Sequence, residues 1–317
     1  MDASSPPPSL LGPMSAADRA ASGGSPPLRW LLESRAFAES ESKLTIAMGE
    51  DCAGQPCIVD LKRLPHLLVG GLAGSGTSTF LRAVVATLLF RCGPGDLRLF
   101  LFSSAPGVFR AFEGLPHLLA QPTSDPEAAL AFLEWAQHEM NRRYNVLAAA
   151  GVRHVDAFNH VPPLLRVLEP LEGPGCLRPA TIPYLVAVFD DLSALAGRWG
   201  DGARESAVEL CQMSRVAGIH LLMAARNLSV DALPAHLLVN IHARMSFRQA
   251  RSIDSSILLG LRGAEELTEA GEALFWPPGT RTAVSLRGPW VTEEGLQRVV
   301  AMWRGQSNGN TTPAGRP

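Results

Sequence analysis

The stretch that decides the fold is Gly71-Leu72-Ala73-Gly74-Ser75-Gly76-Thr77-Ser78, which has the glycine spacing of a phosphate-binding loop. The apolar run 66–70 precedes it, and a helical pattern with Phe80, Val84 and Leu88 on one face follows it. A phosphate-binding loop requires this order of strand, glycine-rich turn and helix, because backbone N–H groups and the positive helix N-terminus attract phosphate oxygens together. The sequence therefore predicts a nucleotide-binding site at this turn.

One position of the loop departs from the usual motif. Thr77 stands where a lysine ordinarily holds the β- and γ-phosphates, whereas Ser78 keeps the hydroxyl that binds Mg²⁺. A charge-assisted hydrogen bond is worth about 1.5–3 kcal/mol, so loss of the lysine should weaken ATP binding about ten- to a hundredfold. The alternative is that residues 70–76 form only a flexible turn. The residues predicted to bind nucleotide are Gly71, Gly74, Ser75, Gly76, Thr77, Ser78 and Thr79.

Two adjacent acids, Asp190 and Asp191, follow the apolar run 184–189. In nucleotide hydrolases an acid at the end of such a strand holds Mg²⁺ through water, and the next acid polarises the attacking water. A capped turn would explain two acids after a strand equally well, but the phosphate loop upstream favours the functional interpretation. We therefore predict ATP with Mg²⁺ as the cofactor, Ser78 and Asp190 as metal ligands, and Asp190 and Asp191 as catalytic residues of an impaired site.

The composition excludes several other classes of protein. The chain has 317 residues, of which 46% are hydrophobic and 18% charged, a composition typical of a soluble globular protein. Its formal net charge of −2 does not indicate nucleic-acid binding, so any DNA contact must come from a local patch. Five scattered cysteines without a C-x-x-C pair favour a reduced, cytoplasmic location. No apolar run approaches the about 20 residues that a membrane span requires.

Apolar runs alternate with helical stretches through most of the chain. This alternation predicts an α/β fold with a mostly parallel sheet and helices on both faces. Asp125 is a suitable N-cap for the longest helix, in which Pro126 takes the first position and Gly151 follows the end. Residues predicted as strands are 66–70, 97–102, 184–189, 219–225 and 241–247; those predicted as helices are 126–150 and 202–217, and 161–183 is a predicted loop.

The two ends of the chain have a different composition from its middle. Residues 1–27 are rich in Pro, Ser, Ala and Gly, and residues 305–317 are likewise poor in large apolar side chains. Such segments bury too little apolar surface to offset the entropy of ordering the backbone. We predict disordered tails at 1–27 and 305–317, with a single domain at 28–304.

Several motifs, found in the same order, resemble the motor domains of FtsK/SpoIIIE-type DNA-translocating ATPases. The similarity runs from about residue 31 to residue 303 and includes Leu64-Pro65-His66-Leu67-Leu68-Val69, Glu113-Gly114-Leu115-Pro116-His117, Glu139-Met140-Asn141-Arg142-Arg143-Tyr144, Ala217-Gly218-Ile219-His220-Leu221, Ser229-Val230-Asp231 and Ile253-Asp254-Ser255. The resemblance implies a RecA-like domain that assembles into a ring, usually a hexamer, around double-stranded DNA. It also implies that ATP binds between neighbouring subunits.

The departures from this family pattern gather at the positions that carry its chemistry. Thr77 replaces the phosphate lysine, Asp191 replaces a glutamate, and Ser256 stands where an arginine is expected. Ser103-Ser104-Ala105 replaces Asp-Pro-Lys, and Arg226-Asn227-Leu228 replaces Gln-Arg-Pro. Loss of an arginine finger alone costs about 10³–10⁵ in rate. Random decay would not spare Gly76 and Ser78 while removing these groups.

Three functional hypotheses follow. The first is a pseudo-ATPase that acts as a DNA-associated or ring-forming subunit, with a competent paralogue as a possible partner. The second is an active ATP-dependent DNA translocase that uses Asp191 as base and Arg226, or an arginine of a neighbouring subunit, as cation. The third is a secretion-type docking domain that binds a partner peptide where ATP would otherwise lie.

Other polar residues have structural interpretations. His66, His117 and His220 lie in apolar runs, and we predict core positions for them in preference to metal ligation. For Arg142-Arg143, contact with DNA, a solvated helix face and an inter-subunit contact remain open.

Overall fold

The computed structural model describes residues 6–13, 15–160, 181–226, 228–229, 233 and 235–308. Its strands are β1 (Thr45–Asp51), β2 (Pro56–Asp60), β3 (His66–Gly70), β4 (Leu97–Ser103), β5 (Tyr184–Asp190), β6 (Ile219–Ala225), β7 (Ala243–Phe247), β8 (Glu272–Trp276) and β9 (Val284–Arg287). Its α-helices are α1 (Ala16–Ala21), α2 (Leu28–Glu33), α3 (Arg35–Ala38), α4 (Thr77–Leu89), α5 (Pro126–Ala149), α6 (Val155–His160), α7 (Asp201–Met213), α8 (Ala235–Asn240), α9 (Ser252–Leu259) and α10 (Glu293–Asn308). None of these described helices has the length and apolar character that a bilayer crossing requires.

The described strands form one sheet in the order β2-β1-β9-β8-β7-β3-β6-β5-β4. The neighbours from β7 to β4 are parallel, whereas the neighbours from β2 to β7 are antiparallel. The α/β fold is thus confirmed, but the sheet is mixed instead of mostly parallel. Three strands of the antiparallel half, β2, β8 and β9, escaped prediction because they are short and partly exposed; every residue of β2, for example, is half-buried. β1 has seven residues, of which five are buried, and has no such explanation.

The parallel strands agree closely with the sequence prediction. β3 and β6 have the predicted bounds, β4 and β5 are each one residue longer, and β7 begins at residue 243 instead of 241. Helix α5 begins as predicted, with the Asp125 carboxylate accepting a 3.0 Å hydrogen bond from the N–H of Glu127. Helix α7 ends at Met213, four residues earlier than predicted, because a turn that includes Gly218 with φ +69° precedes β6.

Apolar side chains cover both faces of the sheet. Within β5, Val186 and Val188 point into one buried cluster, and Leu185 and Phe189 point into the other. This alternation is what a strand buried on both faces requires. Helices α2, α4 and α10 contribute to the first cluster, and α5 and α7 provide much of the second. The predicted placement of helices on both faces is therefore confirmed.

The N-terminal segment differs from the predicted disordered tail. A 3₁₀ turn at Pro8–Leu11 buries Leu11, and α1 begins with a capping box between Ser15 and Asp18. The Arg298 guanidinium of α10 donates to the Leu10 and Leu11 carbonyls at 2.7 and 3.0 Å. These long-range contacts order a segment whose composition alone predicts a tail. At the other end, α10 continues to residue 308, and residues 309–317 lie outside the described chain.

Candidate nucleotide site

The candidate site lies where the parallel strands end. Gly70 of β3 pairs with Ala225 of β6, and Asp190 of β5 pairs with both Ala224 of β6 and Ser103 of β4. Parallel strands present their carboxyl ends at one edge of a sheet, where open α/β folds bind their ligands. This register brings together the phosphate loop, the acidic pair, Ser103 and Arg226, the last two being the first residues of segments that depart from the family pattern.

The loop between β3 and α4 has a geometry that requires glycine. Gly74 and Gly76 have φ values of +79° and +116°, in the region that side chains disfavour. A Cβ atom on Gly76 would also lie 3.2 Å from the backbone nitrogen of Gly271. The Ser75 hydroxyl donates to the Leu72 carbonyl at 2.7 Å and tightens the turn. Neighbouring elements thus fix the loop in one conformation.

The loop offers backbone donors to an anion. Gly76 is the N-cap of α4, so the N–H groups of the first helical turn have no partner within the helix. Together with the helix dipole, such groups form an anion site without any side-chain charge. The loop therefore keeps the backbone geometry of a phosphate-binding turn although the lysine is absent.

Thr77 supplies no substitute for that lysine. Its side chain is buried, with 4% of its surface exposed, and its hydroxyl lies 3.5 Å from the Ser75 hydroxyl. The side chain therefore packs against the loop itself. It carries no charge to a phosphate.

Asp190 is fully buried at the end of β5. Its Oδ2 accepts hydrogen bonds from the hydroxyls of Ser78 at 2.8 Å and Ser103 at 3.3 Å. Burial raises the pKa of Asp190, while the Ser78 hydrogen bond and the charge of Arg226 act in the opposite direction. The structure thus brings together the two residues predicted to bind Mg²⁺.

Asp191 makes mainly structural contacts. Its Oδ1 accepts hydrogen bonds from the backbone N–H groups of Ser193 at 2.9 Å and Arg226 at 3.1 Å. The bond from Ser193 caps the 3₁₀ turn Leu192–Leu195, and the bond from Arg226 ties Asp191 to the end of β6. The capped turn that the sequence left open as an alternative is therefore present, and it employs the second acid.

Arg226 extends from the end of β6 into the same site. Its Nη2 lies 3.3 Å from Ser78 Oγ and 3.6 Å from Asp190 Oδ1, and its Nε lies 3.9 Å from Asp191 Oδ2. The side chain is 30% exposed, so it faces the cavity while it contacts the acids. Among the described residues that line this cavity, Arg226 is the only one with a charged side chain.

The cavity has a volume of about 190 Å³ and lies over the loop and α4. Phe247 and Trp290 form part of its wall, and Ser22 and Ser25 of the N-terminal segment form another part. Sequence reasoning missed these four residues. The segment that contains the two serines has no periodic pattern, and its position depends on contacts distant in sequence, such as the 2.8 Å bond between Trp290 N–H and Pro26 O.

The oxygen atoms of Ser78 and Asp190, in this arrangement, do not fit a magnesium ion. Hydroxyl and carboxylate oxygens of Ser78 and Asp190 are the type of ligand that Mg²⁺ prefers. However, the Arg226 guanidinium lies against both, so a metal ion at these oxygens would meet its positive charge. No group of three or more His, Cys, Asp or Glu side chains in the described part of the chain is placed to hold a metal ion.

Several other candidate residues lie away from this site. Arg143 is buried and donates to Glu139 at 2.7 Å and to the Ala217 carbonyl at 2.9 Å, whereas Arg142 lies at the surface and pairs with the same glutamate. Ser256 donates to the backbone of its own helix at 2.9 Å. Asn227, Val230 and Asp231 fall outside the described residues.

The histidines predicted to lie in the core do so: His66, His117 and His220 are buried, and each has a hydrogen bond to the backbone. Burial lowers the pKa of His66 to about 3 and the pKa of His117 and His220 to about 4. They are therefore neutral at physiological pH.

Comparison with known proteins assigns the family. The sequence model of the FtsK/SpoIIIE family matches residues 27–230. The chain belongs to the FtsK/SpoIIIE family. It is 36% identical over 279 residues to DNA translocase FtsK of Helicobacter pylori (strain J99). The aligned region covers 88% of this chain and 32% of that protein. The chain therefore spans about a third of the length of this curated relative.

Solved structures show the same fold. The cytoplasmic domain of the type VII secretion ATPase EccC of Thermomonospora curvata matches with a TM-score of 0.68 and 26% identity, over 82% of this chain and 31% of that one. The conjugation coupling protein TcpA, in its monomer form with ATPγS, matches with a TM-score of 0.66 and 18% identity, over 83% of this chain and 71% of that one. The chain is thus an FtsK/SpoIIIE-family domain, similar in sequence to a DNA translocase and in structure to a secretion ATPase.

Proposed function

We propose that this FtsK/SpoIIIE domain is a pseudo-ATPase, a DNA-associated or ring-forming subunit that binds nucleotide weakly or not at all and hydrolyses it little. The observation that carries the proposal is the charge of the site. Arg226 is the only charged side chain among the described residues that line the cavity, and two carboxylates hold it. Thr77 is packed against the loop and leaves the phosphates without their usual lysine.

Hydrolysis should be impaired more than binding. Binding needs N–H donors, which the loop retains, but hydrolysis needs cations that neutralise charge as it develops on the transferred phosphoryl group. The arginine expected at Ser256 is absent, and a lost arginine finger alone costs about 10³–10⁵ in rate. Asp191 is also poorly placed as a base, because two backbone N–H groups already occupy one of its oxygens.

The proposed partners are double-stranded DNA and other subunits of a ring, including a catalytically competent paralogue. The relative of Helicobacter pylori is named a DNA translocase, and the similarity covers 88% of this chain. The family motifs that pack the fold remain, for instance Arg143, which ties α5 to the turn before β6. A subunit with this combination would complete a ring without driving it.

Phosphate release measured with ATP, Mg²⁺ and double-stranded DNA tests the proposal. The expected rate is at least about a thousandfold below the 10 s⁻¹ that is typical of enzymes. Asp190→Ala serves as the control, since phosphate release that is unchanged in this variant comes from a contaminant. A motor-like rate in the purified wild-type protein, lost in Asp190→Ala, would refute the pseudo-ATPase.

An active translocase is the second candidate, and the position of Arg226 favours it. The guanidinium already lies 3.3 Å from Ser78 Oγ, where a cation could reach a bound phosphate. In this case DNA should stimulate hydrolysis, and Asp190→Ala and Asp191→Ala should each abolish the stimulation.

A secretion-type docking domain is the third candidate, and the likeness to the secretion ATPase EccC favours it. A docking domain should bind a partner peptide and show no retention on DNA at low salt. Retention on DNA that weakens steeply as salt increases favours the first two candidates instead.

A further inference from the structure

The Arg226 guanidinium lies at the point where potential metal ligands converge. Three oxygens surround it, namely Ser78 Oγ at 3.3 Å, Asp190 Oδ1 at 3.6 Å and Asp191 Oδ2 at 3.9 Å. Two of these belong to the residues that the sequence assigns to Mg²⁺. The arginine therefore contacts the same oxygens that a metal ion would need.

The backbone holds Arg226 in this place. It follows the last residue of β6, the strand between β3 and β5, and its own N–H donates to Asp191 Oδ1 at 3.1 Å. The side chain can therefore reach the loop and both acids from a fixed origin. Arginine side chains carry a positive charge in proteins, so the site holds a cation without a metal ion.

The positive charge of Arg226 compensates the buried carboxylate of Asp190. Its Oδ1 is buried and has no hydrogen-bond partner among the described residues, so the guanidinium at 3.6 Å is the nearest compensation for it. A divalent ion at the same oxygens would have to displace the arginine, since two cations a few ångströms apart repel each other strongly. Displacement would also break the contact between Arg226 and Ser78.

We propose that Arg226 takes the place of the metal ion, so that this site binds nucleotide phosphates without a divalent cation. The guanidinium offers several N–H donors in a planar fork that suits phosphate oxygens, and the loop supplies backbone donors on the other side. This inference rests on the proposed function, because it assumes that the loop binds nucleotide.

Calorimetric titration of the full chain with ATPγS, once with Mg²⁺ and once with EDTA, tests it. The dissociation constants for ATPγS measured with Mg²⁺ and with EDTA should differ by less than about tenfold, which corresponds to about 1.4 kcal/mol. A manganese titration followed by electron paramagnetic resonance provides a second measurement. With ATPγS present, the wild-type protein should bind no Mn²⁺ beyond the amount that ATPγS binds in a protein-free sample.

The variant Arg226→Gln restores the residue that the family pattern has at this position. Its affinity for ATPγS in EDTA should fall about ten- to a hundredfold, the usual range for a lost charged hydrogen bond, and Mg²⁺ should recover part of the loss. The same variant should bind Mn²⁺ together with the nucleotide. Arg35→Gln is the matched control, because Arg35 is 88% exposed on α3 and pairs only with Glu39 within the described chain.

Wild-type protein that binds ATPγS with Mg²⁺ but not with EDTA overturns the inference, and so does an Arg226→Gln variant with unchanged affinity in EDTA. Absence of binding in both buffers also overturns it. These outcomes leave the pseudo-ATPase proposal standing, because that proposal is decided by phosphate release. If Arg226→Gln does not fold, the wild-type comparisons between Mg²⁺ and EDTA and with Mn²⁺ still decide.

Discussion

The Ser78 hydroxyl donates a 2.8 Å hydrogen bond to Asp190 Oδ2 and so joins the phosphate loop to the end of β5, across 112 positions of sequence. Because Asp190 is buried and its pKa is raised by burial, this bond stabilises a carboxyl group that the fold otherwise disfavours in its charged form. The contact links the stability of the domain to the geometry of its site. The first prediction follows from it.

Ser78→Ala should lower the free energy of unfolding by about 1–3 kcal/mol, since a buried acceptor loses its best donor. Urea denaturation measures the change. Ser103→Ala is the matched control, because the Ser103 hydroxyl lies 3.3 Å from the same oxygen and should contribute less. An equal decrease in the free energy of unfolding in the two variants would show that the 2.8 Å bond from Ser78 stabilises the domain no more than the 3.3 Å bond from Ser103.

Thr77→Lys should strengthen ATPγS binding about ten- to a hundredfold, because it restores a charged contact to the phosphates. Calorimetry measures the affinity. Thr77→Met adds a similar length without charge and should bring no gain. Phosphate release should stay slow in Thr77→Lys, since Asp191 and Ser256 remain unchanged; recovery of a motor-like rate from this one substitution would contradict the account of the site.

Gly76→Ala should lower the free energy of unfolding by about 1–3 kcal/mol, the cost of forcing a side chain into a disfavoured backbone region. At φ +116° the new methyl group would also meet the Gly271 backbone at 3.2 Å. Gly95→Ala should change stability by no more than about 0.5 kcal/mol, because no heavy atom lies within 4 Å of the added carbon. Two variants of equal stability would mean that the loop relaxes.

Arg143→Gln should lower the free energy of unfolding by about 1.5–3 kcal/mol, because it removes buried charged hydrogen bonds to Glu139 and the Ala217 carbonyl. Arg142→Gln should cost less than about 1 kcal/mol, as expected for an exposed ion pair. Retention on double-stranded DNA at several salt concentrations tests whether Arg142 contacts DNA. If this side chain contacts DNA, its variant should bind more weakly and with a shallower salt dependence.

The buried histidines predict how stability depends on pH. Burial lowers the pKa of His66 to about 3 and of His117 and His220 to about 4, whereas the ordinary value is 6.5. Between these values the unfolded chain binds more protons than the folded one, so stability is complete above pH 6.5 and is lost on acidification. Each histidine should contribute on the order of 1 kcal/mol per pH unit in this window.

Urea denaturation at about pH 7 and about pH 5 measures this dependence, and His220→Gln provides the comparison. The variant lacks one titrating ring, so its stability should fall less between the two values. A slope that is the same in both proteins would mean that His220 takes up its proton while the domain is folded.

The parallel half of the sheet could be predicted because its strands are buried on both faces. β3 and β6 are continuous apolar runs, and their bounds agree with the prediction. β8 alternates buried and half-buried residues over only five positions, and β9 has four residues, two of them exposed. Such short, partly exposed strands acquire their structure from pairing, which local sequence does not encode.

The phosphate loop and the acidic pair could be found from motifs, whereas the role of Arg226 could not be assigned. Its position beside Ser78 depends on the strand order β3-β6-β5, which sets the end of β6 between the loop and the acids. The contribution of Ser22 and Ser25 depends on still more distant contacts. Long-range packing therefore decides the part of the site that motifs leave open.

The wall formed by Ser22 and Ser25 affects how the domain should be prepared for biochemistry. Arg287 fixes this segment by a 2.9 Å hydrogen bond to the Gly23 carbonyl, yet the family similarity begins only at residue 27. A version shortened to the family boundary would lack both serines and would leave the ligand cavity open on one side. Nucleotide affinities measured with such a truncated protein would therefore describe a cavity with a different wall from that of the longer chain.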